Sequence, residues 1–346
     1  MPRTDLKGMT VEELQDFLRP LGEPAYRARQ IFRWIYKGVE DFDKMTDIPK
    51  SLAAKLKEIC YVGKIKIHRK FESQKDETVK YLLLLQDGEV IESVKMEHDY
   101  GITVCVSSQV GCPMGCAFCA STIGGFRRNL TAGEMVDQVL VIQEDIKKRI
   151  SHVVVMGSGE PLLNYDELIK FLRIINSNLA FNMSYRRVSV STCGIVPGIK
   201  RLAEEKLPIT LSVSLHAPFD ELRDRLVPIN RRYPIMELLD ACKYYIIKTK
   251  RRITFEYTMI SGVNDSKECA VKLAHLLKGI LCHVNLIPLN PVRERFFERS
   301  ANERIKLFEE ILKNYGISVT VRQEMGADIE AACGQLRRSF LNEVKK

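Results

Sequence analysis

The chain lacks any apolar run long enough to cross a bilayer: stretches such as Tyr81 to Leu85 fall far short of the roughly 20 residues a membrane helix needs. The opening Met-Pro-Arg-Thr-Asp-Leu-Lys has neither the apolar core nor the small-residue cleavage site of a secretory signal. A reducing, cytoplasmic setting with no membrane partner is therefore expected. There is no low-complexity tract and no internal repeat beyond a strand-helix unit. What is present is ordinary globular material: 346 residues, 45% hydrophobic and 28% charged, enough to bury a substantial core.

Ten cysteines in a reducing setting point to metal or redox chemistry. Three of them, Cys112, Cys116 and Cys119, share one short loop, Gly111-Cys-Pro-Met-Gly-Cys-Ala-Phe-Cys119, and the nearby sequence offers no fourth thiol. Glycines 111 and 115 allow the tight, partly left-handed turns that let three thiolates converge on one inorganic centre. A structural zinc site is normally closed by four ligands, so three leave a coordination position open for a substrate or cofactor. The spacing predicts an iron-sulfur cluster, with zinc or inert buried thiols as the alternatives.

The formal charge is +9, and it is clustered at Lys147-Lys148-Arg149, Arg186-Arg187, Arg231-Arg232, Lys248 to Arg252, Arg293/Arg295/Arg299 and Arg337-Arg338. Such patches gain phosphate affinity by releasing counterions, which makes nucleic acid the expected anionic partner; solvated helix faces would look the same.

The first sixty residues read as helical and basic, with helices over Val11 to Leu18, Ala25 to Tyr36 and Ser51 to Ile59. Phe32 is expected in the core of this module, and Trp34 could face either way. From Lys64 to about Glu97 the pattern is extended, with a hairpin turn at Asp87-Gly88. After Gly101, strand candidates at 102–107, 153–156, 188–192, 209–215, 253–260, 284–289 and 317–322 alternate with amphipathic stretches of helix length. This predicts an α/β fold, a parallel sheet curled toward a barrel, with strand ends meeting at one mouth where the cysteine loop would sit. The expected division is a helical accessory domain over 1–62, a short β connector over 63–98 and a barrel over 99–346.

After the second barrel strand comes Gly157-Ser158-Gly159-Glu160-Pro161, whose glycines permit close ligand approach and whose carboxylate could meet an ammonium. Three cysteines after the first strand and Gly-X-Gly-Glu-Pro after the second together resemble the radical S-adenosylmethionine superfamily. Further segments sharpen the likeness: Val104 to Cys112, Phe126-Arg-Arg-Asn-Leu-Thr131, Ser212-Val-Ser-Leu-His-Ala217, Ser261-Gly-Val-Asn-Asp265 and Ala331-Ala-Cys-Gly-Gln-Leu336. Over nearly the full length the chain resembles the RlmN/Cfr group of RNA adenine methyltransferases, with Ser158 standing where that group usually has methionine.

The resemblance implies a partial (β/α)6 radical barrel holding a [4Fe-4S] cluster on Cys112, Cys116 and Cys119. It places S-adenosylmethionine, two molecules per turnover, against Gly159, Glu160, Ser191, Ser214, Leu215, His216 and Asn290. It implies that Cys333 carries the methyl group as S-methylcysteine, that Cys105 resolves the protein-RNA adduct through a transient disulfide with Cys333, and that Glu92 accepts a proton. The residue types after the glutamate at 160 and at position 193 resemble the carbon-2 branch rather than the carbon-8 branch. The implied substrates are an adenosine of 23S ribosomal RNA near the peptidyl-transferase centre and the adenosine 3' to the anticodon of certain tRNAs. A flavodoxin or ferredoxin would supply electrons to a monomer. The alternatives are a carbon-8 methyltransferase, a radical enzyme acting on a protein or small molecule, and a non-catalytic zinc-containing RNA-binding protein.

Read from the residues alone, Cys105 and Glu92 look like a small core residue and the polar face of a strand. Cys333 beside Gly334 looks mobile and accessible. Cysteines 60, 193, 242, 269 and 282 receive no role, and Met156 is expected in the core.

Overall fold

Short runs rich in valine, isoleucine and threonine, each followed by an amphipathic stretch, become the strands and helices of one sheet system. The computed structural model describes residues 3–336, so Arg337 and Arg338 lie outside the described residues. At the start, β1 (Thr4–Asp5) leads into α1 (Val11–Leu18), α2 (Tyr26–Tyr36) and α3 (Lys50–Ile59), and β2 (Cys60–Tyr61) returns to pair in parallel with β1. Two-residue strands carry no periodicity, which is why the sequence gives no sign of this pairing. Leu14, Ile31, Phe32, Ile35, Leu52 and Leu56 fill the core of the module. Trp34 is half-buried at its edge and donates its indole N–H to Asp47 at 2.6 Å.

Buried contacts fix the module to the rest of the chain. The Lys7 ammonium donates to Asp137 at 2.6 Å, and the other oxygen of Asp137 accepts the Ile65 amide at 2.7 Å, all of it buried. Gly8 lies so close to Gly133 that a Cβ on it would fall 2.4 Å from the Gly133 nitrogen.

The extended stretch forms β3 (Lys66–Glu72), β4 (Val79–Leu84) and β5 (Val90–His98), antiparallel to one another, and β5 pairs antiparallel with β6 (Gly101–Val106). The connector strands therefore belong to the barrel's own sheet. β7 (Gln109–Val110) and β8 (Arg128–Asn129) bracket the cysteine loop. Next in the chain are α4 (Ala132–Ile146), β9 (His152–Val155), α5 (Tyr165–Asn176), β10 (Val188–Thr192), α6 (Val196–Glu204), β11 (Thr210–Ser214), α7 (Asp220–Leu226) and α8 (Ile235–Thr249). The last elements are β12 (Ile253–Met259), α9 (Lys267–Leu277), β13 (Cys282–Pro288), α10 (Asn302–Asn314) and β14 (Val319–Val321).

Among the described residues these strands form a ten-stranded sheet ordered β14-β13-β12-β11-β10-β9-β6-β5-β4-β3, and every neighbouring pair from β6 to β14 is parallel. This is a mixed α/β fold built on a parallel-rich sheet, as the strand-helix alternation predicts. Its curl is visible in the side chains: Cys105 on β6 and Arg322, just past β14, sit at opposite ends of the parallel run yet line the same cavity.

Candidate active site

The cysteine loop is a stapled structure. Gln109 pairs with Asn129 and Val110 with Arg128 across β7 and β8, closing the loop at its base. Arg128 then donates to both oxygens of Glu134, at 2.8 and 2.7 Å, and to Asp87 at 2.6 Å. Glu134 at the same time completes a capping box with Thr131 at the start of α4, so one carboxylate ties loop and helix together. Gly111 has φ of 75°, and a Cβ there would fall 1.7 Å from the Gly125 carbonyl oxygen. Only glycine fits that position.

Cys112, Cys116 and Cys119 all border one cavity of about 140 Å³, together with Gly159, Glu160, Ser191, Ser214, His216, Asn290 and Cys333. Burial pushes the Cys112 thiol up to about 12 and the Cys119 thiol up to about 11, and a bound cationic cluster reverses such a preference. Among the described residues no trio of His, Cys, Asp or Glu side chains is arranged to hold a single metal ion. Three thiols bordering one chamber suit a cluster held by three ligands, with the other lining residues left to meet a cofactor.

Several flanking residues are held from behind. Gly159 has φ of 111° and lies against Ser108 and Gln109, with no space for a Cβ. Ser158 does not line this cavity; its amide donates to the Ser107 hydroxyl at 3.0 Å and its carbonyl accepts the Ser108 amide at 2.9 Å. The Glu160 carboxylate accepts the Leu162 amide at 3.0 Å and the Cys193 amide at 2.6 Å; burial raises its pKa, against those two hydrogen bonds. His216 adopts φ of 57°, accepts the Thr258 amide on Nδ1 at 3.0 Å, and is driven down to about 3 by burial, so its imidazole is neutral. The Leu215 side chain is buried in the core and lines neither cavity, because alternate strand residues face opposite ways and Ser214 takes the inward position.

A second cavity, about 480 Å³, runs down the barrel interior past Cys105, Val94, Thr103, Ser212, Glu256 and Asn285. It shares Met156, Glu256, Ile287, Asn290, Arg322 and Cys333 with the first. Cys105 and Cys333 thus face one chamber. Burial and the neighbouring Cys333 push the Cys105 thiol up to about 12. The Cys333 segment is pinned rather than loose: Asn290 donates to the Cys333 carbonyl at 3.1 Å, Ala120 to the Gly334 carbonyl at 2.7 Å, and Ser121 to the Leu336 carbonyl at 2.7 Å. Met156, expected in the core, is half-buried and borders both chambers. Glu92 is buried on β5 with its carboxylate 4.0 Å from the Lys80 ammonium, and it does not line either cavity.

Two residues escape sequence reasoning. The Cys193 sulfur lies 3.8 Å from that of Cys116, although the two are far apart in the chain. Arg223 is fully buried on α7 and donates to the carbonyls of Cys193 at 2.8 Å, Ser214 at 3.0 Å and Leu215 at 3.1 Å, knotting the ends of β10 and β11 beneath the chamber. In Asp-Glu-Leu-Arg-Asp-Arg-Leu it looks like one more charge on a solvated face, and no sequence signal separates it. Asn264 has a traceable one, since its motif resembles the family's: it donates to the carbonyls of His216 and Thr258 at 2.8 and 2.7 Å.

The family model for the radical SAM superfamily matches residues 106–274, and that for the ribosomal RNA large subunit methyltransferase N-terminal domain matches 4–62. A protein from a Thermoanaerobacter species named "Probable dual-specificity RNA methyltransferase RlmN" is 57% identical over 98% of this chain and 99% of its own. The chain belongs to the RlmN family. A Clostridioides difficile protein of the same name is 52% identical over 97% of this chain and 98% of its own. The crystal structure of a radical SAM methyltransferase from Sphaerobacter thermophilus superposes with a TM-score of 0.91 at 48% identity, covering 97% of this chain and all of that one. RlmN-family membership makes this a radical SAM RNA methyltransferase, and the superfamily's cofactors are a [4Fe-4S] cluster and S-adenosylmethionine. No helix among the described residues is long and apolar enough to cross a membrane.

Proposed function

We propose that this enzyme methylates carbon 2 of an adenosine in 23S ribosomal RNA near the peptidyl-transferase centre and of the adenosine 3' to the anticodon in certain tRNAs. The observation that carries the reading is the shared chamber: Cys333 borders both the cavity of the three loop cysteines and the cavity of Cys105. In this reading Cys112, Cys116 and Cys119 hold the cluster, while Gly159, Glu160, Ser191, Ser214, His216 and Asn290 hold S-adenosylmethionine, with Leu215 contributing backbone alone. When bound, the pair supplies a methyl group and a carbon-centred radical able to remove hydrogen from an unactivated C–H bond.

The protein's own residues do the rest. Cys333 carries the methyl group as a thioether. Once that methyl has lost a hydrogen, its carbon bonds to adenine carbon 2 and links protein to RNA. This route is needed because an amidine carbon of adenine is not nucleophilic and would not attack a methyl donor directly. Glu92 accepts the proton from carbon 2 as the adduct radical gives up one electron, for which a bound cluster would be the acceptor. Cys105 then attacks the Cys333 sulfur, freeing the base and leaving a disulfide that is reduced before the next turnover. Both target adenosines are unpaired or looped, which suits a pocket that draws in a single base.

The division into an RNA-contacting module at 1–62, a connector at 63–98 and a catalytic barrel from 99 belongs to the same proposal, as do a monomeric cytoplasmic enzyme and a flavodoxin or ferredoxin donor. The test is nucleoside mass spectrometry after anaerobic incubation of reconstituted protein with S-adenosylmethionine, reductant and unmodified ribosomal or transfer RNA. 2-Methyladenosine in both RNAs is the expected product. 8-Methyladenosine, or none despite an intact cluster, would refute the assignment.

A further inference from the structure

Among the described residues, Arg322 is the single arginine or lysine lining either chamber, and it lines both. It sits one residue past β14, where its amide donates to the Leu286 carbonyl on β13 at 2.8 Å. From there its side chain borders the same cavity as Cys333, Glu256 and Cys105. Glu256, on β12, is buried, lines both chambers with Arg322 and accepts the Asn285 amide group at 2.8 Å; burial raises its pKa, against the charge of Arg322. None of the family-derived site residues is a cation.

The proposed exchange needs such a charge. A thiolate, not a thiol, attacks sulfur, and Cys105 stands in a buried chamber that disfavours the anion. An arginine stays protonated at any working pH and is worth most where water is excluded. We propose that Arg322 is the positioning residue of the Cys105–Cys333 pair, stabilising the small thiolate fraction of Cys105 that attacks Cys333. The inference rests on the exchange reading above.

In that step the Cys105 sulfur bonds to the Cys333 sulfur and the bond between Cys333 sulfur and the bridging carbon breaks. Its electron pair goes to carbon, which takes a proton to become the methyl group. Two sulfurs are oxidised and one carbon is reduced, so no outside oxidant is required. The charged and titratable groups that share this chamber with Cys105 are Cys333, Arg322, Glu256, His98, Tyr100 and Glu324.

The experiment compares Arg322→Met, Arg322→Gln, Arg322→Lys and Cys105→Ala as anaerobically reconstituted holoenzymes, with cluster absorbance reporting the fold of each. Peptide-resolved alkylation by iodoacetamide reads the Cys105 thiolate, and gel mobility reads the covalent protein-RNA adduct. Arg322→Met and Arg322→Gln should slow Cys105 alkylation about tenfold or more and accumulate adduct as Cys105→Ala does, and Arg322→Lys should recover most of both. Alkylation at the wild-type rate in the neutral variants, or lost turnover without adduct, overturns the role of Arg322. Absence of adduct in Cys105→Ala itself overturns the exchange reading, and the inference with it.

Discussion

Cys105 lies in a chamber that holds its thiol up to about 12, through burial first and the Cys333 thiol second. The reactive thiolate is therefore scarce at neutral pH and grows as pH rises. Release of RNA from the adduct in a single turnover should accelerate about tenfold per pH unit from neutral into mildly alkaline solution, measured by quench and gel; a flat profile would mean that another group sets the rate. Cys193 offers a second residue-scale check. Its sulfur touches Cys116 without belonging to the three-cysteine loop. Cys193→Ala should retain wild-type iron and sulfide per chain, whereas Cys116→Ala should lose most of both; equal loss in the two would make Cys193 a ligand.

The elements that present these residues depend on a few backbone positions. Because a Cβ at Gly111 would strike the Gly125 carbonyl, Gly111→Ala should open the β7–β8 staple. Cluster loading, read by absorbance after reconstitution, should fall severely while the far-ultraviolet spectrum holds; full loading would show that the loop has slack. His216 ends β11 in a left-handed turn with a neutral, buried ring. Its folded pKa, about 3, is below its unfolded value of about 6.5, so its contribution is present above that unfolded value and fades as pH falls through the interval. His216→Asn tolerates the left-handed turn and can still accept the Thr258 amide. Its denaturant midpoint should fall less steeply with acid than that of the parent; parallel curves would place the acid sensitivity elsewhere.

Most of these elements were legible because β-branched runs such as Val188 to Thr192 and capping residues such as Thr131 mark strands and helix starts locally. α7 was not: in Asp220 to Leu226 charged residues outnumber apolar ones, and its worth lies in one buried arginine that the tertiary structure makes indispensable.

At the scale of the molecule, the helical module is bound to the barrel by a buried ion pair rather than by a loose linker. Lys7→Met would leave Asp137 charged and unpaired in the interior, a loss of about 3–5 kcal/mol that should appear as a lower midpoint in thermal or chemical unfolding. An unchanged midpoint would mean that Asp137 simply protonates there. The barrel was readable from strand-helix alternation, and the three-cysteine loop stood out by its spacing. The meeting of Cys105 with Cys333 was not, since nothing local in either segment encodes that the sheet curls until its first and last parallel strands face each other. The resemblance supplied that pairing, and the shared chamber gives it a physical basis.

The claim on which this account turns is that Cys333 carries the methyl group to the base. Protein loaded at Cys333 with deuterated methyl, freed of excess donor and then mixed with unlabelled S-adenosylmethionine, reductant and tRNA, should give a first-turnover 2-methyladenosine that bears the label minus a single deuterium. An unlabelled methyl group, or one that retains every deuterium, would contradict it.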